Sequence, residues 1–87
     1  MELEKLRIFL AVAETGNISA AARKLFVSHS TVSRAVSALE KELGCELVTR
    51  ISNNTLGITQ SGRILEQEAK IIIKTMDELP EKLKKKP

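Results

Sequence analysis

The chain has no tryptophan and no tyrosine, and its 87 residues include only two phenylalanines, two prolines, one histidine and one cysteine. Each shortage excludes something. A lone cysteine can build neither a disulfide framework nor a cysteine-based zinc site within the chain. Cys45 therefore reads as a small apolar residue near a strand start, with redox sensing as the alternative. One histidine and one cysteine leave no material for a catalytic triad or a metal cluster, and the four glycines form no phosphate-cradling loop, so neither an enzyme nor a cofactor is expected. No stretch approaches the roughly 18 apolar residues that a bilayer requires, and no signal-peptide pattern opens the chain. A soluble, cytoplasmic protein with no membrane partner and no small-molecule site is the expectation.

What is present is aliphatic and mildly basic. The net charge is +3 and the pI about 9.2, which permits phosphate contact without demanding it. Abundant aliphatic residues suit helix-on-helix packing better than a β-sandwich. A chain this short forms one small domain whose core is marginal alone, so help from a second copy is plausible on size.

Leu3, Leu6, Phe9, Leu10 and Ala13 share one helical face, and Gly16 ends that first helix. Ser19 is the expected N-cap of a second helix over about 20–25, with Ala21, Ala22 and Leu25 inward. Ser28 caps a third, from 29 to about 43, which Gly44 terminates; Val32, Val36, Leu39 and Leu43 give its buried face. Phe26 lies in the connection, where a positive φ would cost of order 1 kcal/mol, and burial of its ring is the expected compensation. Two helices joined by so short a turn, with Ser30, Thr31, Ser33 and Arg34 crowding the outer face of the second, are the pattern of a DNA-reading helix-turn-helix. A packing helix needs no such face. The competing readings are a solvated helix face and a helical dimerisation or adaptor module; for Arg34 the bland alternative is a surface ion pair.

Residues 46–58 read as a hairpin, with short strands at Leu47–Thr49 and Leu56–Ile58 and a Ser52-Asn53-Asn54 turn. Thr59 then caps a helix of nearly 20 residues, a rod of about 30 Å. Its Leu65, Ala69, Ile72, Met76 and Leu79 are spaced four, three, four and three apart, the seam of a coiled coil, and an identical helix is the simplest partner. Packing of that seam onto the first helix of its own chain is the alternative. Pro80 is expected to stop or kink the helix. The organisation expected is a mainly α winged helix-turn-helix over 1–58, a three-helix core plus a short β-hairpin wing. A long dimerisation helix over 59–80 and a disordered basic tail over 81–87 follow.

In that order and spacing, Leu6-Arg-Ile-Phe9, Ala11-Val-Ala-Glu-Thr-Gly16, Ser19-Ala-Ala-Ala-Arg-Lys-Leu25 and Val27-Ser-His-Ser-Thr-Val-Ser-Arg34 resemble the N-terminal module of LysR-type transcriptional regulators. The resemblance continues through Leu39-Glu-Lys-Glu-Leu-Gly44, Leu47-Val-Thr-Arg50 and Leu56-Gly-Ile-Thr-Gln-Ser-Gly62. A lesser resemblance is to the molybdate-responsive regulators. The LysR-type likeness implies double-stranded DNA as partner, a homodimer through the long helix, and an imperfect inverted repeat as target. It implies base and phosphate contact by His29, Ser30, Ser33, Arg34 and Ser37, with Ser28 and Thr31 in the same first turn. Arg50, Asn53 and Asn54 would reach the backbone and minor groove. The family commonly has Gln-Pro or Gln-Ser where this chain has His29-Ser30, and its wing tip is often richer in arginine than Ser52-Asn-Asn54. A histidine cannot bracket adenine bidentately as glutamine does. The resemblance covers none of the effector-binding domain of such regulators, so the chain reads as a DNA-binding fragment or a stand-alone form.

Overall fold

The computed structural model describes residues 1–84, which form α1 (Leu3–Thr15), α2 (Ile18–Leu25), α3 (His29–Leu43), β1 (Val48–Arg50), β2 (Leu56–Ile58) and α4 (Gln60–Lys84). Three helices and a hairpin make a winged helix-turn-helix, and α4 carries its long axis to 53 Å. The central element is α1, buried on two sides. Ile8, Ala11 and Val12 meet Ala21 and Ala22 of α2 and Val32, Ala35 and Val36 of α3. On its other side Leu6, Phe9 and Ala13 meet Leu39, Leu47 and the α4 residues Ala69 and Ile73. The first half of α4 thus belongs to the same core as the three helices.

Left-handed caps end the first three helices, at Gly16 (φ 64°), Phe26 (φ 58°) and Gly44 (φ 72°). Glycine takes this conformation freely; phenylalanine does not. The Phe26 ring does not compensate by burial, as expected from the sequence, because the residue is 94% exposed. The turn is held instead by the backbone, with the Val27 N–H donating to the Ala22 carbonyl at 3.0 Å. Phe26→Gly should therefore stabilise the chain, by roughly 0.5–1 kcal/mol once the entropy of the added glycine is counted. A lowered melting midpoint would contradict this.

Several local expectations shift. The N-cap of α2 is Asn17, whose Oδ1 accepts from the Ala20 N–H at 2.9 Å, and Ser19 lies inside the helix. Asn is as good a cap as Ser, and the extended backbone at residue 17 decided between them. Leu43 is exposed at the last turn of α3, beyond the reach of the core, while Ala35 is buried. The first strand starts at Val48, one residue later than expected, because Leu47 is consumed by the core. Cys45 is exposed.

The hairpin pairs Val48 with Ile58 and Arg50 with Leu56 in antiparallel register. Two three-residue strands are too short to stand alone. They are held by the α1–α2 turn, where the Ile18 N–H donates to the Asn54 carbonyl (2.8 Å) and the Leu56 N–H to the Gly16 carbonyl (2.9 Å). At the hairpin's base Glu40 Oε2 accepts from the N–H groups of Leu47 (2.8 Å) and Val48 (3.3 Å).

Thr59 caps α4, its Oγ1 accepting from the Gly62 N–H at 3.0 Å. Gly62 lies against the hairpin so closely that a Cβ would stand 2.3 Å from the Leu47 carbonyl oxygen and 2.6 Å from Ile58 Cγ2. Gly62→Ala should cost roughly 1–3 kcal/mol in a denaturant melt, since backbone on one side cannot yield as a side chain would. A neutral result would mean that α4 slides off the hairpin without loss.

Pro80 neither stops α4 nor marks its end. The proline removes one backbone hydrogen bond, to the Met76 carbonyl, but this stretch is exposed and water can replace the donor. Its neighbours Glu78, Leu79, Glu81, Lys82 and Leu83 are mostly strong helix formers. Residues 81–84 are therefore helical rather than a disordered tail, and residues 85–87 of that expected tail lie outside the described residues.

Candidate nucleic-acid interface

The helix α3 begins where Ser28 turns the extended chain inward, its Oγ accepting from the Thr31 N–H at 3.1 Å. Val32, Ala35, Val36 and Leu39 then fall on one side and are buried. The opposite side carries Ser30, Arg34, Ser37 and Lys41, spaced four, three and four apart and all exposed. Three of these are expected contact residues. Lys41 was not singled out from the sequence, though its position seven residues beyond Arg34 is the signal that finds it.

The remaining expected residues divide by what they touch. Ser28 is engaged as the cap and lies 2.8 Å from Thr31 Oγ1 and 3.2 Å from Ser30 Oγ. Thr31 and Ser33 are half-buried at the edges of the exposed row. His29 leans away from that row, its Nε2 2.7 Å from Asn54 Oδ1. In the hairpin, Arg50 Nη1 donates to the Asn53 carbonyl at 2.9 Å and so braces the turn, leaving Asn53 exposed at the tip.

Ion pairs engage several cations elsewhere on the surface. Arg7 is paired with Asp77, Lys24 with Glu14, and Arg63 and Lys70 with Glu66. Arg34, Lys41 and Arg50 make no ion pair among the described residues, and the surface pairing expected as the alternative for Arg34 does not occur there. Glu2 and Glu4 line the groove that Arg34 borders, yet the nearest polar contact of its guanidinium is a loose one, 3.5 Å to Ser30 Oγ. Unpaired guanidinium groups beside small hydroxyls can donate to base edges or phosphates without first breaking a protein contact.

The five residues of the expected dimer seam do not stay together. Ala69 is 0% exposed, enclosed by the chain's own α1, and Leu65 is half-buried against the same cluster. Ala69 is thus corrected from the seam into the core; its small side chain lets α1 and α4 approach. Ile72, Met76 and Leu79 remain exposed, and Leu83 continues their row at spacings of four, three and four. The alternative of packing on the first helix holds for the near side of α4 only.

A family model described as "Bacterial regulatory helix-turn-helix protein, lysR family" matches residues 3–63. Among curated proteins, the HTH-type transcriptional regulator ClcR of Pseudomonas putida is 40% identical over 73 residues, which are 84% of this chain and 24% of that protein. The chain therefore spans about a quarter of the length of such relatives. Among solved structures, the DNA-binding domain of CbnR in complex with DNA is 34% identical with a TM-score of 0.91, covering 97% of this chain and 95% of that one. The DNA-binding domain of BenM with its benA site 1 DNA is 33% identical with a TM-score of 0.88, covering 97% and 96%.

Proposed function

The chain belongs to the LysR family of bacterial helix-turn-helix regulators, and on that premise we propose that it is a sequence-specific DNA-binding module controlling transcription from the bacterial cytoplasm. The observation that carries this reading is the exposed row Ser30, Arg34, Ser37 and Lys41, whose cations have no ion-pair partner among the described residues. In the proposed complex α3 lies in the major groove with this row toward the base edges. Ser28, Thr31 and Ser33 meet the flanking backbone, and Arg50, Asn53 and Asn54 bring the wing to the phosphates and minor groove. The solved relatives with DNA bound share this fold along nearly its whole length, which supports the docking.

The exposed row of Ile72, Met76, Leu79 and Leu83 supports a homodimer through α4. Two-fold symmetry would place the two reading helices on an imperfect inverted repeat, successive major-groove contacts about 34 Å or a multiple of it apart. Selection from random duplexes with this chain should return two half-sites in inverted orientation, and binding should weaken steeply with salt. A single half-site at every protein concentration would overturn the dimeric target. Salt-insensitive behaviour, with no enrichment, would instead fit a helical adaptor module.

A further inference from the structure

The wing touches α3 through a second row of side chains, distinct from the reading row. His29, Ser33, Val36 and Glu40 are spaced four, three and four apart and lie about 100° around the helix from Ser30, Arg34, Ser37 and Lys41. Three of them, Ser33, Val36 and Glu40, line one cleft together with Ser37 at the border of the reading row and Val48, Arg50 and Leu56 of the hairpin. The ends of the row make the polar ties. Glu40 accepts the two N–H groups at the hairpin's base, and His29 reaches Asn54 at its far end. Asn54 is itself held a second time, its carbonyl accepting from the Ile18 N–H.

We propose that His29 is a positioning residue that fixes the wing tip relative to the reading helix, and not a reader of bases. This rests on the DNA-binding reading above. Asn54 Oδ1 can only accept, so His29 Nε2 is the donor of this contact. The ring is thereby committed toward the wing, on the row that Glu40 occupies about three turns further along the helix. Without it the backbone tie to Ile18 still holds the wing to the domain, but the Asn54 side chain loses its anchor on α3. The separation between major-groove and wing contacts then varies, and affinity falls without any change in which bases are preferred.

A double-mutant cycle on the selected duplex tests this. His29→Ala and Asn54→Ala should each weaken binding about 3- to 10-fold, the worth of one hydrogen bond. The double variant should be no weaker than Asn54→Ala alone, because His29→Ala then removes only a contact already lost. Base preference at every position should stay as in the wild type, while cleavage protection at the wing's flank is reduced in both. In the free chain, 15N NMR should show the Nε2–H tautomer of His29, and Asn54→Ala should average it. Additive losses, or a base preference relaxed by His29→Ala alone, would overturn the proposal. The two failures are distinguishable: a wild-type chain that enriches no duplex overturns the DNA-binding reading and this role with it, whereas additive losses in a chain that binds overturn the positioning role only.

Discussion

Arg34→Ala should weaken binding to the selected duplex by about 1–3 kcal/mol, roughly 5- to 150-fold, with little change in the melt. The guanidinium stands in the middle of the exposed row and makes no ion pair among the described residues, so the folded chain loses only a 3.5 Å contact to Ser30 when it is removed. Whatever it contributes is therefore contributed to the partner. Arg50→Ala should behave differently. Arg50 holds the Asn53 carbonyl and so shapes the wing turn before any DNA arrives. Its loss should weaken selected and random duplexes more evenly and reduce the slope of log affinity against log salt by about one. Titrations of both variants on both duplexes at two salt concentrations separate the roles. Two folded variants that bind the selected duplex like wild type would remove both residues from the interface.

The reading helix was legible from the sequence because three independent signals coincide on it. Ser28 and Gly44 mark its ends, and the apolar spacing of Val32, Val36 and Leu39 fixes its orientation. Once that face is buried, Ser30, Arg34 and Ser37 must point outward, so their exposure follows from helical geometry alone. The hairpin was legible for a similar reason, since Ser52-Asn53-Asn54 can hardly be other than a turn.

What the sequence hid depends on contacts between elements far apart in the chain. The His29–Asn54 contact spans 25 residues, and periodicity within either element carries no trace of it. A first-turn histidine beside serines gives no sign in the sequence of a partner in the wing. Phe26 misled in the opposite direction: hydrophobicity suggested burial, whereas backbone hydrogen bonds hold the turn and the ring faces solvent. Along α4 the pattern was ambiguous for a physical reason. Leu65, Ala69, Ile72, Ile73, Met76 and Leu79 span more of the helix circumference than one partner can cover. A strict heptad picks one line through them, but α1 claims Ala69 and Ile73 first, because it is tethered to the same chain.

Charged substitutions on the two sides of α4 should accordingly have opposite consequences. Ala69→Glu would bury a carboxylate between α1 and α4, next to Phe9 and Leu39, with no cation enclosed to meet it. An unpaired buried charge costs about 3–5 kcal/mol, a large share of the ~5–15 kcal/mol that holds a domain of this kind together. Cooperative melting should be largely lost. Ile72→Glu lies only three residues on, but its side chain is exposed in the single chain, so the fold and its helicity should survive. Paired with a second copy, that carboxylate would sit in the apolar row of Met76, Leu79 and Leu83, and the helices must part or bury it. The domain should sediment as a monomer. Affinity for the inverted repeat should then fall by about 10²–10⁴, the advantage that linking two half-site contacts confers, while weak salt-dependent binding to random duplex persists. Sedimentation and circular dichroism of both variants beside wild type decide the matter. A dimer unchanged by Ile72→Glu would place the pairing surface elsewhere. A folded, monomeric Ala69→Glu would mean that α4 leaves α1 in solution and presents the residue 69 face to its partner.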